Sequence, residues 1–119
     1  MTNIDIKTII NLAEQGDEST IEEYLTGQFE LVNKEPFKLA ASATAQAVSF
    51  GAITNAKLVI ILPEDTITVV VNGADTALPC TGIMLLNTDN NNSAGYITSL
   101  SLNNPDTANE IKGKVIIAG

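Results

Sequence analysis

Apolar and polar residues alternate along this chain with two different periods, and the change of period predicts two parts. Over residues 4–15, Ile6, Ile9, Ile10 and Ala13 fall at i, i+3, i+4 and i+7, one face of a helix. Asn3 is placed to cap its start and Gly16 to stop it. Ser19-Thr20-Ile21-Glu22 has the form of a capping box and predicts a second short helix to about Thr26. That helix would carry Ile21, Tyr24 and Leu25 on one side, with Gly27 ending it. From Gln28 the period becomes two. Phe29 and Leu31 suggest a first strand, and residues 37–48 continue as a long alternating run with small residues on both faces. The alanines of that run leave a helix over 39–48 open as the other reading.

Further on, residues 56–62 form a continuous apolar run ended by Pro63, the pattern of a strand buried on both faces. A strand over 66–71 meets Asn72-Gly73, a strong turn signal because both residues tolerate positive φ. Residues 76–78 should return antiparallel, with Pro79 at an edge and Gly82 at a bend. Strands over 82–87, 96–102 and 111–118 follow, separated by polar loops at 88–95 and 103–106. The expected fold is mainly β: an antiparallel β-sandwich or small barrel of about eight short strands, preceded by two short N-terminal helices. The expected domains are an acidic helical arm over 1–27 and a β-sandwich over 28–119.

An internal similarity runs through the second half. At a shift of thirty-one, Asn72, Asp75, Thr76, Ala77 and Gly82 coincide with Asn103, Asp106, Thr107, Ala108 and Gly113. This predicts two related strand–turn–strand units, with turn and bulge roles for the shared residues.

Composition sharpens the division. Residues 1–35 hold eight acidic residues against two lysines, net −6 of the total formal charge of −8. A chain with six Lys, no Arg and an acidic balance is a poor partner for phosphates, so nucleic acid and anionic membrane are excluded as partners. There is no basic, apolar leader and no run of about 20 apolar residues, so neither a signal peptide nor a transmembrane segment is expected.

Candidate chemistry is thin. With no His, the Ser-His and Cys-His constellations of nucleophilic catalysis are missing, so no enzyme, catalytic residue or small-molecule substrate is expected. Cys80 is the single cysteine and reads as a core residue. Glu64, Asp65, Asp75 and Asp106 lie in turns, where a carboxylate caps backbone amides more readily than it acts on a glycoside. Asp89 opens a segment like half a calcium loop, but Ala94 and Leu100 stand where a Gly and a bidentate Glu belong. No metal and no cofactor are therefore expected.

The segments Val71-Asn72-Gly73, Leu78-Pro79, 82–86, 97–103 and 115–119 resemble, in style, virion structural proteins of tailed bacteriophages. The resemblance covers roughly 56–119. It implies a capsid auxiliary (decoration), portal, tail or fibre subunit, assembled into a virion in the host cytoplasm. It brings no catalytic residues. The partners it implies are other virion subunits and copies of the chain itself. The residues expected at such contacts are Ile6, Ile9, Ile10 and Tyr24 on the arm, Tyr96, and Val115, Ile116 and Ile117 on the last strand. The alternative is a glycan-binding β-sandwich that attaches to a cell surface through the 88–95 loop and Tyr96.

Overall fold

The computed structural model describes residues 1–14, 16–88 and 95–119. The chain forms two units, Met1–Glu30 and Leu31–Gly119. Among the described residues there is no α-helix.

The first unit is a β-hairpin of two long strands, β1 (Thr2–Glu14) and β2 (Asp17–Phe29), paired antiparallel from Thr2↔Phe29 to Glu14↔Asp17. The two helices expected over 1–27 are thus replaced by strands. Two physical reasons stand out. Ile4, Ile6, Ile10 and Leu12 recur at even spacing and share one strand face, so period two accounts for four large residues. The helical reading instead needed Ile9 and the small Ala13. β1 is also rich in β-branched Ile and Thr, which lose side-chain freedom in helices and fit pleated strands. Gly16 stands at the turn with φ +85°, a backbone conformation suited to glycine. The Ser19–Glu22 capping pattern lies inside β2 and caps nothing.

The second unit has eight strands: β3 (Val32–Leu39), β4 (Gln46–Ala47), β5 (Leu58–Pro63), β6 (Ile67–Val71), β7 (Leu78–Cys80), β8 (Met84–Asn87), β9 (Leu100–Asn103) and β10 (Ile111–Ala118). They make two four-stranded antiparallel sheets, ordered β3-β10-β5-β8 and β4-β9-β6-β7. The chain passes repeatedly from one sheet to the other, and the first strand of the unit pairs with the last. This strand order is that of a jelly roll. The inner faces meet in one buried cluster. Val59, Ile61, Val115 and Ile117 come from one sheet, and Ile67, Val69, Leu100 and Leu102 from the other. The expected antiparallel β fold of about eight short strands is present. So is a strand at 58–63 buried on both faces: Val59 and Ile61 join that cluster, while Leu58 and Ile60 are buried on the opposite side.

The long alternating run over 37–48 does not persist as one strand. β3 stops at Leu39, where its partner β10 begins at Ile111. Beyond it, Ser42 and Ala45 take positive φ, and a corner leads to the two-residue β4. Side chains of the 103–104 segment hold this corner. Asn103 Oδ1 accepts from the Ala45 amide at 2.7 Å. Asn104 is 3% exposed, and its side-chain amide reaches the carbonyls of Leu39, Ala40 and Asn109 at 3.3, 3.1 and 2.8 Å. Its Oδ1 accepts from the Asp106 amide at 2.9 Å.

The internal similarity has no structural counterpart. Asn72-Gly73 does form a tight turn with both φ positive, closed by the Ala74 amide donating to Val71 O. That first segment stays in one sheet as β6–β7. The second crosses between sheets, from β9 to β10. Gly82 lies in a loop and Gly113 inside β10.

Candidate functional site

Strand alternation sorts the hairpin into two faces. One face pairs Ile6 with Leu25 and Ile10 with Ile21, flanked by Ile4 and Leu12. The other carries Asp5, Lys7, Asn11, Glu18, Glu22 and Tyr24, with Ile9 among them. On the apolar face, Ile4, Ile6 and Leu25 are half-buried. Toward the tip Ile10, Leu12 and Ile21 are 45%, 45% and 43% exposed. On the polar face Tyr24 lies in cross-strand contact with Lys7, whose ammonium stands 5.5 Å from the ring centroid. The Tyr24 hydroxyl donates to Glu22 Oε2 at 3.1 Å, and Thr20 Oγ1 donates to Asn11 Oδ1 at 3.1 Å. The polar face is paired at these residues, while Ile9 on it is 50% exposed. The apolar tip is not covered.

The expected contact residues therefore divide. Ile6 and Ile10 share the apolar face, while Ile9 and Tyr24 lie on the opposite one. In the last strand Val115 and Ile117 are fully buried in the core, so their role is packing and they offer no outer surface. Ile116 points to the other side of the sheet and is half-buried. Tyr96 is half-buried, and its carbonyl accepts from Asn72 Nδ2 at 3.1 Å. Asn72 Oδ1 also accepts from the Thr98 and Ser99 amides at 2.7 and 3.2 Å, so the Asn72-Gly73 turn holds this segment in place. The calcium-like segment from Asp89 and residues 89–94 of the glycan-loop reading lie outside the described residues.

A second surface was not singled out from the sequence. The outer face of the β3-β10-β5-β8 sheet carries Lys34, Lys38, Lys112 and Lys114, four of the six lysines in the chain. They come together because the even positions of β3 and β10 face the same way and pair across the strands, Lys38 with Lys112 and Pro36 with Lys114. Lys38 and Lys112 share Glu110 at 3.4 and 3.9 Å, all three well exposed, so these pairs contribute little to stability. Lys34, Glu35 and Lys114 edge an open depression of about 490 Å³ that is also lined by Pro36, Leu62 and Ile116. The signal in the sequence is the i, i+2, i+4 spacing of Lys34, Pro36 and Lys38 and the i, i+2 spacing of Lys112 and Lys114. It becomes one patch only through pairing of strands more than seventy residues apart.

Ionisable groups in the body have structural environments. Burial pushes the Cys80 thiol up from its ordinary range, and its side chain packs in the core. Asp106 is held below the usual carboxylate range by the amide of Ala108, then by the side chain and amide of Asn109. This is the turn role expected for Asp106. Among the described residues, no three His, Cys, Asp or Glu side chains gather as a metal site would require. No described helix is long and apolar enough to cross a membrane.

No family model matches this chain, and neither does any curated protein or solved structure.

Proposed function

We propose that this chain is a non-enzymatic structural protein of a virion, such as a capsid auxiliary or tail subunit. It acts through contacts with other virion subunits and with copies of itself. The observation that carries this reading is the uncovered apolar tip of the hairpin. A lone two-stranded hairpin is marginal in water, and one with an apolar face gains stability when a partner covers it. Covering the exposed halves of Ile10, Leu12 and Ile21 is worth about 1 kcal/mol each, enough to matter to an assembly built from many copies. The jelly-roll order adds support by analogy, since viral capsid domains use it. Lectin domains use it too, so the fold alone does not choose a function.

The reading is tested on particles from the natural source. The protein should band with purified virions at fixed stoichiometry. The Ile10→Asp/Ile21→Asp variant, folded by circular dichroism, should incorporate at least about tenfold less. Virions that lack the chain, or that take up both forms equally, sink the proposal.

A further inference from the structure

We infer that the hairpin β1–β2 of one copy docks on the lysine-bearing outer face of the β3-β10-β5-β8 sheet of a second copy. This rests on the assembly reading above and names the two surfaces that meet.

Three observations converge on this pair of surfaces. Their charges are opposite. Residues 1–30 carry seven acidic residues against Lys7 alone, although Asp5, Glu18 and Glu22 lie on the hairpin's polar face, whereas the sheet face gathers Lys34, Lys38, Lys112 and Lys114. Glu23 sits within the apolar face of the hairpin itself, opposite Thr8. Among the described residues neither Lys34 nor Lys114 has an ion-pair partner, so both are free to meet an incoming carboxylate.

Their apolar parts also match. Ile10, Leu12 and Ile21 need cover. Pro36, Leu62 and Ile116 form an apolar floor between lysines whose long stems extend it. A Lys rim around an aliphatic floor suits a strand face whose aliphatic pairs, Ile6–Leu25 and Ile10–Ile21, flank the carboxylate of Glu23.

Their sizes agree as well. The exposed end of the hairpin, residues 8–14 and 17–23, is roughly 24 Å long and 10 Å wide, and the eight-residue strands β3 and β10 are roughly 27 Å long. Each docked face then covers about 240 Å², and reciprocal exchange between two copies buries about 1,000 Å² in all, at the lower end of specific interfaces. When both copies exchange hairpins in this way the contact is self-complementary, as in a two-fold dimer.

Light scattering on the full-length protein tests this. The wild type should self-associate at micromolar concentration, and less so at high salt, because the docking is partly ionic. Lys34→Glu/Lys114→Glu and, separately, Ile10→Ser/Ile21→Ser should each raise the dissociation constant at least about tenfold while circular dichroism stays unchanged. Glu23→Lys should weaken self-association too, and mixing it with the Lys34→Glu/Lys114→Glu protein should restore a complex. A monomeric wild type overturns the docking. So does an oligomer that none of these variants affects, although virion incorporation would then still stand as a separate result.

Discussion

The hairpin and the body solve the problem of burying β structure in opposite ways. In the body each sheet has a partner sheet, and the inward residues reach zero exposure: Leu39, Ile61, Ile67, Val69 and Ile117 among them. In the hairpin, residues of the same chemistry and the same alternation remain in water at the tip. The difference lies in topology and not in composition. Ile10 and Ile61 are the same residue in the same kind of strand, but only Ile61 has a second layer above it. Large aliphatic side chains are thus buried in one unit and left exposed in the other.

Substitutions can break this contrast. The largest effect should come from Ile61→Ala or Leu102→Ala in the core, at about 3 to 4 kcal/mol by urea unfolding. Ile10→Ala should change unfolding by less than about 0.5 kcal/mol in the monomer, since a half-exposed residue leaves little cavity. Equal losses at Ile61 and Ile10 would erase the distinction. Next comes Asn104→Ala, expected to cost about 2 kcal/mol by removing the side-chain donor that reaches the carbonyls of Leu39, Ala40 and Asn109, of which Ala40 keeps the Ala43 amide. A loss under about 0.5 kcal/mol would show that the β3–β4 corner is held elsewhere. Gly113→Ala follows, at about 1 to 3 kcal/mol, because a Cβ there meets the Phe37 ring and comes within 2.6 Å of Leu62 O.

The pH response is smaller, and its two arms have opposite signs. The folded-state pKa of Asp106 is depressed, so its contribution is present above the ordinary carboxylate value and lost as pH falls through the lower folded value. Asp106→Asn should flatten the acid limb of a melting-temperature profile. The folded-state pKa of Cys80 is raised, so its contribution is present below about pH 9 and lost as pH rises through the higher folded value. Cys80→Ala should flatten the alkaline limb. Smallest of all is Lys38→Ala, which removes one of two exposed partners of Glu110 and should shift stability by less than about 0.5 kcal/mol.

Much of the body was legible in the sequence because its signals are local. Apolar run length placed β5, the Asn-Gly pair placed the turn after β6, and the spacing of strands gave the two-layer class. What was not legible depends on pairing. The Phe37–Val48 alternation continues past the end of β3, and only the pairing of Leu39 with Ile111, the first residue of β10, shows where the strand must stop. The lysine face is likewise created by register between distant strands. The hairpin was misread for a different reason. Ile6 and Ile10, four apart, satisfy both a period of 3.6 and a period of 2, and the helix template also uses Ile9, which the strand leaves on its polar face. The β-branched content of residues 2–10 was the signal that favours the strand. Asn104 gave no sign of its importance, since a second Asn in a turn cluster looks like any other.

The pairing of β3 with β10 also sets a timetable. On a ribosome the hairpin is complete once Phe29 has emerged, and hairpins close in about 1 to 10 μs. β3 follows at once but has no neighbour until Ile111 appears, seventy-two residues after Leu39. At about 5 to 20 residues per second that is a wait of roughly 4 to 14 s. For those seconds a finished hairpin with an apolar face travels with an unfinished sheet. Chains on neighbouring ribosomes of one message would be within reach of each other throughout.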